Sequence, residues 1–175
     1  ISTLLSWNLS RDIENRNALL TKTINRQIEE FFSTPNLIMS QLKGLLELID
    51  DIEDHAIIDG ELKASLGNVD FFDQVLILDK EGVVIHLYPF NDDIIGNDFS
   101  RQPLFQDTTE KDIHWSPVFI SSITGKPTVS ISLSFSQGII VGQIDLAYLF
   151  KLISEIEIEK KGFAIITCLL YTSDA

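Results

Sequence analysis

A few residues in the middle of the chain have side chains suited to binding a ligand. Arg101 is the only arginine after Arg26, so its guanidinium is the natural anchor for an anionic group, unless it is simply exposed on a loop. Trp115 has the size to form a pocket wall, although a strand tryptophan is more often part of a core. His86 and His114 lie beside apolar residues, where a hydrogen-bonded or exposed histidine is more frequent than a pocket donor. These residues point to small-molecule binding and leave structural roles open.

The sequence gives no support for catalysis or metal binding. It contains no HExxH, GxSxG or glycine-rich phosphate-loop motif. Its three histidines and its single cysteine, Cys168, occupy separate segments. The acidic run at 50–54 lacks the alternate ligand spacing and central glycine of a dedicated calcium loop. We therefore predict no catalytic residue, no metal site, no cofactor and no enzymatic activity in this chain.

The composition excludes further classes of partner. The chain has 175 residues, a formal net charge of −13 and a pI of about 4.4, and 45% of its residues are hydrophobic, as in a globular domain. Its acidity disfavours nucleic acids and anionic membrane surfaces, because both attract basic residues. No apolar run approaches the ~20 residues of a membrane helix. The chain starts at ISTLLSW, with no methionine and no basic leader, so we expect it to be a piece of a longer protein.

Residues 125–148 carry the clearest structural pattern. Val129, Ile131, Leu133 and Phe135 alternate with serines, which predicts a strand with one apolar and one hydroxyl face. A short turn follows, and a second strand ends at Asp145. The apolar face is expected to close the core against a long helix.

Other patterns complete the predicted sheet. Residues 74–88 form a hairpin with Gly82 in the left-handed position of its turn, and residues 113–120 read as another strand. A short helix is predicted around 61–66. The loop at 89–112 is long enough to be functional or to contain a short helix.

A long helix is predicted over residues 10–50. Apolar residues recur at heptad spacing from Ile24 to Ile49, and Pro35 is the one member that is neither aliphatic nor aromatic. Because proline removes a backbone donor, we expect two nearly collinear segments, the second with Thr34 as its N-cap. The heptad stripe packs either on the protein's own sheet or on a second copy of the chain.

The order of these features resembles the double Cache family of extracytoplasmic receptor sensor domains. The resemblance is carried by VLILDKEGVV, DDIIGNDFS, HWSP, TGKPTVSIS and GQIDLAYL, in that order. It implies an α+β fold with a PAS-like antiparallel sheet and a long N-terminal helix. It also implies four segments: helix and connection at 1–60, the membrane-distal module at 61–146, a connecting helix at 147–160, and the first strand of a truncated proximal module with an atypical tail at 161–175.

The resemblance also names the ligand-binding positions. In the amino-acid-binding branch an arginine and a Trp-Tyr pair hold the carboxylate, and a Tyr and two Asp residues hold the amino group. Here the matching positions are occupied by other residue types except at the last one, so an amino-acid ligand is disfavoured. The implied ligand-binding residues are Arg101, Gln102, Phe105, Trp115, Phe119, Ser121 and Asp145. For Asp145, capping of the following helix is an alternative role.

The function implied is that of a small-molecule sensor domain of a bacterial transmembrane receptor, located outside the cytoplasm. The receptor would be a histidine kinase, a chemoreceptor or a diguanylate cyclase. An unidentified small molecule is the expected ligand, and a homodimer through the N-terminal helix is the expected assembly. The alternative is a ligand-free dimerisation or spacer module of such a receptor.

Overall fold

The computed structural model describes residues 2–50, 52, 54–110 and 112–154. The chain divides into two compact units. One comprises residues 33–148, and the described part of the other comprises residues 2–32 and 149–154. The strand predicted near residues 162–167 lies outside the described residues.

The described elements alternate between helices and antiparallel strands. In chain order they are α1 (Ser2–Leu46), α2 (His55–Leu66), β1 (Phe72–Asp79), β2 (Val84–Tyr88), α3 (Pro103–Glu110), β3 (Ile113–Trp115), β4 (Phe119–Ile120), β5 (Pro127–Phe135), β6 (Gly138–Asp145) and α4 (Leu146–Ser154).

Helix α1 continues through Pro35, so the expectation of two segments was wrong. Its buried stripe in the larger unit runs through Pro35, Met39, Leu42 and Leu46, at spacings of four, three and four residues. Burial of this stripe compensates for the backbone hydrogen bond that the proline lacks. Pro35 and Leu42 are at predicted positions, whereas Met39 and Leu46 are buried in place of the predicted Ile38 and Leu45, and Leu45 is exposed.

Helix α2 begins six residues earlier than the sequence pattern predicted. Asp54 caps it, because its carboxylate accepts hydrogen bonds from the backbone N–H groups of Ala56 (3.1 Å) and Ile57 (3.3 Å). The acidic stretch before the helix conceals this cap, and Gly60 weakens the helical pattern inside it.

The strands form one antiparallel sheet in the order β2-β1-β6-β5-β3, and β4 also pairs with β5. Both predicted hairpins are confirmed: β1 pairs with β2, and β5 pairs with β6 from Thr128↔Asp145 to Phe135↔Gly138. Gly82 has the expected positive φ of 90°. The long loop does contain a short helix, α3.

One face of the sheet, the helix face, contacts α1 and α2. It carries the apolar residues of β5, from Val129 to Phe135, together with their partners on β6 and β1. At Gly142 a Cβ would lie 3.1 Å from the Met39 sulfur of α1. Trp115 is also on this face, since it pairs with Ile131. The apolar face of the last hairpin therefore does meet the long helix.

The opposite face, the loop face, is covered by residues 89–102 and by α3. Its apolar half packs on the cover in one cluster: Leu76, Leu78, Val84, Leu87, Phe99, Leu104, Ile139 and Val141. A buried hydrogen bond between the hydroxyls of Thr108 and Ser132 fixes α3 over β5. The cover thus rests on one half of the face, and polar residues occupy the other half.

Replacement of Gly138 by alanine is expected to destabilise the protein by about 1–3 kcal/mol. The added Cβ would lie 1.9 Å from the Leu78 carbonyl oxygen, which belongs to the backbone of the paired strand. Gly60→Ala is the matched control, because nothing lies within 4 Å of its Cβ position and it sits in a helix. That change should stabilise by about 0.5–1 kcal/mol. Urea unfolding of both variants measures the difference, and equal effects would contradict the register described.

Candidate functional site

The loop face carries a buried polar patch where β1, β6 and β5 lie side by side. Gln74, Gln143 and Ser130 are paired across these three strands and therefore share one row on one face. Thr128 and Asp145 form the next row toward the end of the sheet. Together with Asp73 and Ser121, described below, these residues make up the polar patch.

A β-bulge brings Asp73 onto this patch. The pairing of β1 with β6 shifts between Phe72↔Ile144 and Gln74↔Gln143, so Asp73 is the extra residue. The Phe72 ring lies on the helix face, near Gly142. Without the bulge, strand alternation would put Gln74 on that face as well. The bulge thus places the Gln74 amide on the loop face next to the Asp73 carboxylate.

Ser121 connects the patch to the turn between β4 and β5. Its hydroxyl donates to the Gln143 side-chain oxygen (3.2 Å) and accepts from the backbone N–H groups of Ile123 and Thr124 (both 3.3 Å). The Ser121 backbone N–H donates to the Lys126 carbonyl (2.9 Å). The turn formed by residues 121–126 is therefore anchored at the edge of the patch.

Three buried polar atoms of the patch have no hydrogen-bond partner in the described part of the chain. They are Asp73 Oδ2, Gln74 Oε1 and Ser130 Oγ. By contrast, the neighbouring Ser132 hydroxyl is bonded to Thr108. A buried polar atom without a partner costs about 1–3 kcal/mol, and most native structures avoid it. Their concentration at one place indicates a surface that hydrogen-bonds to something outside the chain.

Two carboxylates and one ammonium occupy the end of the patch. Lys126 Nζ lies 3.0 Å from Asp145 Oδ2. The backbone N–H of Ala147 donates to Asp145 Oδ1 (2.7 Å), so Asp145 also caps α4, the alternative role considered above. This backbone hydrogen bond and the Lys126 ammonium hold the pKa of Asp145 below its usual range.

Asp73 has the opposite electrostatic environment. Burial raises the pKa of its carboxyl, and the negative charge of Asp145 raises it further, against the attraction of Lys126. The three side chains are close enough to influence one another, yet Lys126 forms its ion pair with Asp145. Asp73 is thus a partly desolvated carboxylate whose negative charge Lys126 neutralises only in part.

The structure brings together three of the seven residues implied by the resemblance. Phe119 is half-buried on β4, opposite Thr128 and hence in the row of Asp145. Ser121 and Asp145 belong to the polar patch itself.

The other four residues lie elsewhere. Phe105 packs against the apolar cluster of the loop face, and the Gln102 carbonyl accepts the first backbone hydrogen bonds of α3. Arg101 is exposed just before that helix. Trp115 lies on the helix face, where its Nε1–H donates to Asn36 Oδ1 of α1 (3.2 Å).

Sequence reasoning found Ser121 and Asp145 but missed Asp73, Gln74 and Gln143 of the patch. Asp73 and Gln74 follow Phe72 at the start of β1, and Gln143 interrupts the apolar run of β6. A polar residue inside a buried strand is a usable signal, because it needs a partner. The bulge that aligns them depends on pairing between β1 and β6, which are distant in sequence.

Two cavities in the larger unit lie away from the patch. One of about 420 Å³ is lined by Ile38, Leu45 and Leu48 of the α1 region together with Ser65 of α2. The other, of about 320 Å³, lies beside β2 and is lined by His55, Asp59 and Phe90 among others.

Within the described residues, no group of three histidine, cysteine or acidic side chains is placed to hold a metal ion. Likewise, none of the described helices is long and apolar enough to span a bilayer.

Solved structures share this arrangement of helix and sheet. The ligand-binding domain of the Pseudomonas aeruginosa amino-acid chemoreceptor PctC, in complex with GABA, matches 82% of this chain with a TM-score of 0.64 at 19% identity. That of the Campylobacter jejuni chemoreceptor Tlp3, in complex with L-valine, matches 83% with a TM-score of 0.68 at 16% identity. An extracellular ligand binding receptor from Desulfohalobium retbaense matches 78% with a TM-score of 0.63 at 16% identity.

The chain has the Cache sensor-domain fold. This confirms the α+β fold with a PAS-like sheet that the sequence predicted. The chain covers 65%, 64% and 26% of the three solved chains, respectively, which is less than two thirds of each. No protein-family model matches the sequence, and no curated protein sequence matches it.

Asp73 and Asp145, the two aspartates of the polar patch, should change the free energy of unfolding in opposite directions at pH 7. Asp73, whose pKa is raised in the folded state, costs stability once it is ionised, so Asp73→Asn should raise the free energy of unfolding. Asp145, whose pKa is lowered, contributes stability above the unfolded value of about 3.8, so Asp145→Asn should reduce it.

Both differences should shrink as the pH falls below the two carboxyl pKa values, because the wild-type carboxyls then become protonated. Asparagine retains an oxygen for the helix cap at position 145, so the change removes the charge and the acceptor that faces Lys126. Urea unfolding between pH 7 and pH 3 measures both effects. Effects of the same sign at pH 7, or effects independent of pH, would contradict the electrostatic assignment.

Proposed function

We propose that this chain is a small-molecule sensor domain of a bacterial transmembrane receptor, and that its ligand binds at the polar patch. The observation that carries the proposal is the set of unpartnered buried atoms on Asp73, Gln74 and Ser130. They lie on the loop face, beside the cover formed by residues 89–102 and α3. The fold similarity to domains solved with GABA and L-valine supports a ligand of comparable size.

The chemistry of the patch favours a ligand that donates hydrogen bonds. A carboxylate oxygen and an amide oxygen are pure acceptors, and the serine hydroxyl both donates and accepts. The patch offers only a weak anchor for a carboxylate on the ligand, since Arg101 is exposed and Trp115 is on the other face. We therefore assign ligand contacts to Asp73, Gln74, Ser121, Ser130, Gln143 and Asp145, with Phe119 at the edge.

Asp145 supplies the route by which binding would alter the rest of the receptor. It ends β6 and caps α4, so a contact at the patch bears directly on the start of that helix. A ligand that binds one arrangement of β6 and α4 more tightly would shift the population toward it. In the proposed division, residues 61–146 form the distal module, 147–160 connect it onward and 161–175 begin a proximal module. The helix and connection at 1–60 complete the chain.

The domain would lie outside the cytoplasm in a membrane-anchored parent protein with a kinase, chemotaxis or diguanylate cyclase output. The solved extracellular ligand binding receptor of the same fold supports this placement. In this role the chain itself would not be an enzyme, and its acidic surface would keep it apart from nucleic acids.

Ligand binding is tested by thermal unfolding of the 175-residue protein with a panel of amines, amides, carboxylates, purines and polyamines. At least one donor-rich compound should raise the midpoint, as expected for binding to the folded state. Ser130→Ala should abolish that increase. The same variant should leave the unliganded protein unchanged or stabilised by about 1 kcal/mol, since it removes a buried hydroxyl without a partner.

Ser134→Ala is the matched control, because Ser134 lies on the same strand and face but opposite Ile139, beyond the polar patch. It should retain the ligand response. If no compound class stabilises the wild-type protein, or if Ser130→Ala responds like Ser134→Ala, the site is wrongly assigned.

A ligand-free dimerisation module is the second candidate. The exposed fractions of the Leu37 and Leu48 side chains are 60% and 81%, and an apolar groove lined by Leu45 and Leu48 is open to solvent.

A dimerisation module of this kind should associate with increasing concentration in sedimentation velocity, and Leu48→Glu should weaken the association. Phe90→Glu is the control, since Phe90 is an exposed apolar residue outside α1 and its groove. A wild-type protein that remains monomeric at high concentration would exclude this candidate.

A further inference from the structure

His86 is a buried histidine on β2, an edge strand of the sheet, and both of its ring nitrogens face hydrogen-bond acceptors. The exposed fraction of its side chain is 0%. Nδ1 lies 3.1 Å from Asp59 Oδ1 of α2, and Nε2 lies 2.7 Å from the backbone carbonyl oxygen of Ile52, between α1 and α2. A carboxylate and a carbonyl accept hydrogen bonds and donate none. The ring therefore needs an N–H on each nitrogen to make both bonds.

The neutral ring of His86 can make one of these two bonds at a time. It carries a single N–H, so one nitrogen presents a lone pair to an acceptor oxygen. With the hydrogen on Nε2, the bond to Ile52 is kept and Asp59 faces the lone pair. The Asp59 side chain is half exposed and can turn into solvent, whereas the Ile52 oxygen belongs to the backbone. Loss of the second proton therefore releases Asp59.

The surroundings of His86 support the charged ring despite its burial. Burial disfavours the charge, but a nearby carboxylate and two hydrogen-bonded N–H groups favour it. The 2.7 Å separation from the Ile52 oxygen is at the short end of the range for hydrogen bonds from a charged nitrogen. Ile77, the partner on β1, is apolar, and Asp92 adds negative charge to the cavity beside β2. The ring of His55 is 4.7 Å away between centroids and opposes the charge only when it is itself protonated.

We propose that His86 is a proton-dependent link between α2 and the edge of the sheet. When both ring nitrogens carry a hydrogen, one side chain on β2 holds α2 through Asp59 and holds the segment between α1 and α2 through Ile52. When one proton is lost, the bond to Asp59 opens and α2 keeps its apolar packing through Ile58 and Leu62. The inference goes beyond ligand binding, because it makes the attachment of α2 depend on the pH around the domain without involving the polar patch.

The proton-dependent link has a definite effect on stability as the pH changes. An unfolded histidine is protonated below about pH 6.5. Because the protonated ring makes both bonds, the stabilisation from the link is fully present below that pH and is lost as the pH rises through the titration of His86. Asp59→Asn removes the carboxylate, so this pH-dependent contribution should be lost in that variant.

The ring nitrogens of His86 report the state of the link directly. In the 175-residue protein, ¹⁵N NMR between pH 5 and pH 9 should show both ring nitrogens protonated at the acidic end and the Nε2–H form at the basic end. The backbone amide of Gly60, inside α2, should follow the same transition. Asp59→Asn should move the His86 transition toward acid by about 1 pH unit or more, because the carboxylate that favours the second proton is absent.

Asp107→Asn is the matched control for this experiment. Asp107 is a half-exposed carboxylate like Asp59, but it lies beside a different histidine, with Oδ2 3.5 Å from His114 Nε2. Its replacement should leave the His86 transition unchanged. Urea unfolding gives a second measurement: the loss of stability caused by Asp59→Asn should be larger at pH 5.5 than at pH 8.5. If His86 keeps one protonation state from pH 5 to pH 9, or if both asparagine variants shift its transition equally, His86 is not a proton-dependent link.

Discussion

The antiparallel pairing of β5 with β6 is the constraint on which the rest of the structure depends. Its register runs without a break from Thr128↔Asp145 to Phe135↔Gly138. Because strand side chains alternate, this single register directs the apolar residues of β5 to α1 and the hydroxyl residues to the loop face. A slip of one residue would put serines against the helix and apolar side chains under α3. The apolar face toward α1 and the part of the polar patch on β5 and β6 follow from this one pairing.

Burial of the polar patch reduces the stability of the folded protein. Hydrophobic side chains at Gln74, Ser130 and Gln143 would complete the cluster formed by the apolar half of the same face. Instead, the chain buries polar atoms there and leaves some of them without partners. The bulge at Asp73 adds a desolvated carboxylate to this group. Strain and unsatisfied groups concentrated in one place are typical of binding sites.

The Cache fold of this protein and its polar patch rest on different observations. The arrangement of long helix, sheet and covering loops matches the solved sensor domains at 16–19% identity. The polar patch places amide and hydroxyl groups in the row where β1, β6 and β5 meet. The ammonium of Lys126 lies 3.0 Å from Asp145 Oδ2 at the edge of that row. The fold is therefore shared with these domains, and ligand binding at the patch is the function we propose.

Local patterns in the sequence were sufficient for the hairpins, for the glycine turn at Gly82 and for the α+β class, because each depends on residues close together in the chain. They were insufficient for the path of α1 at Pro35, where burial in the folded protein outweighs the local preference for a break. They also left open which face of the sheet carries Trp115, because pairing with Ile131 decides it. The polar patch required the tertiary structure most of all. It joins Gln74 to Gln143 through strand pairing and Lys126 to Asp145 through an ion pair, and these contacts between distant segments decide which polar side chains meet.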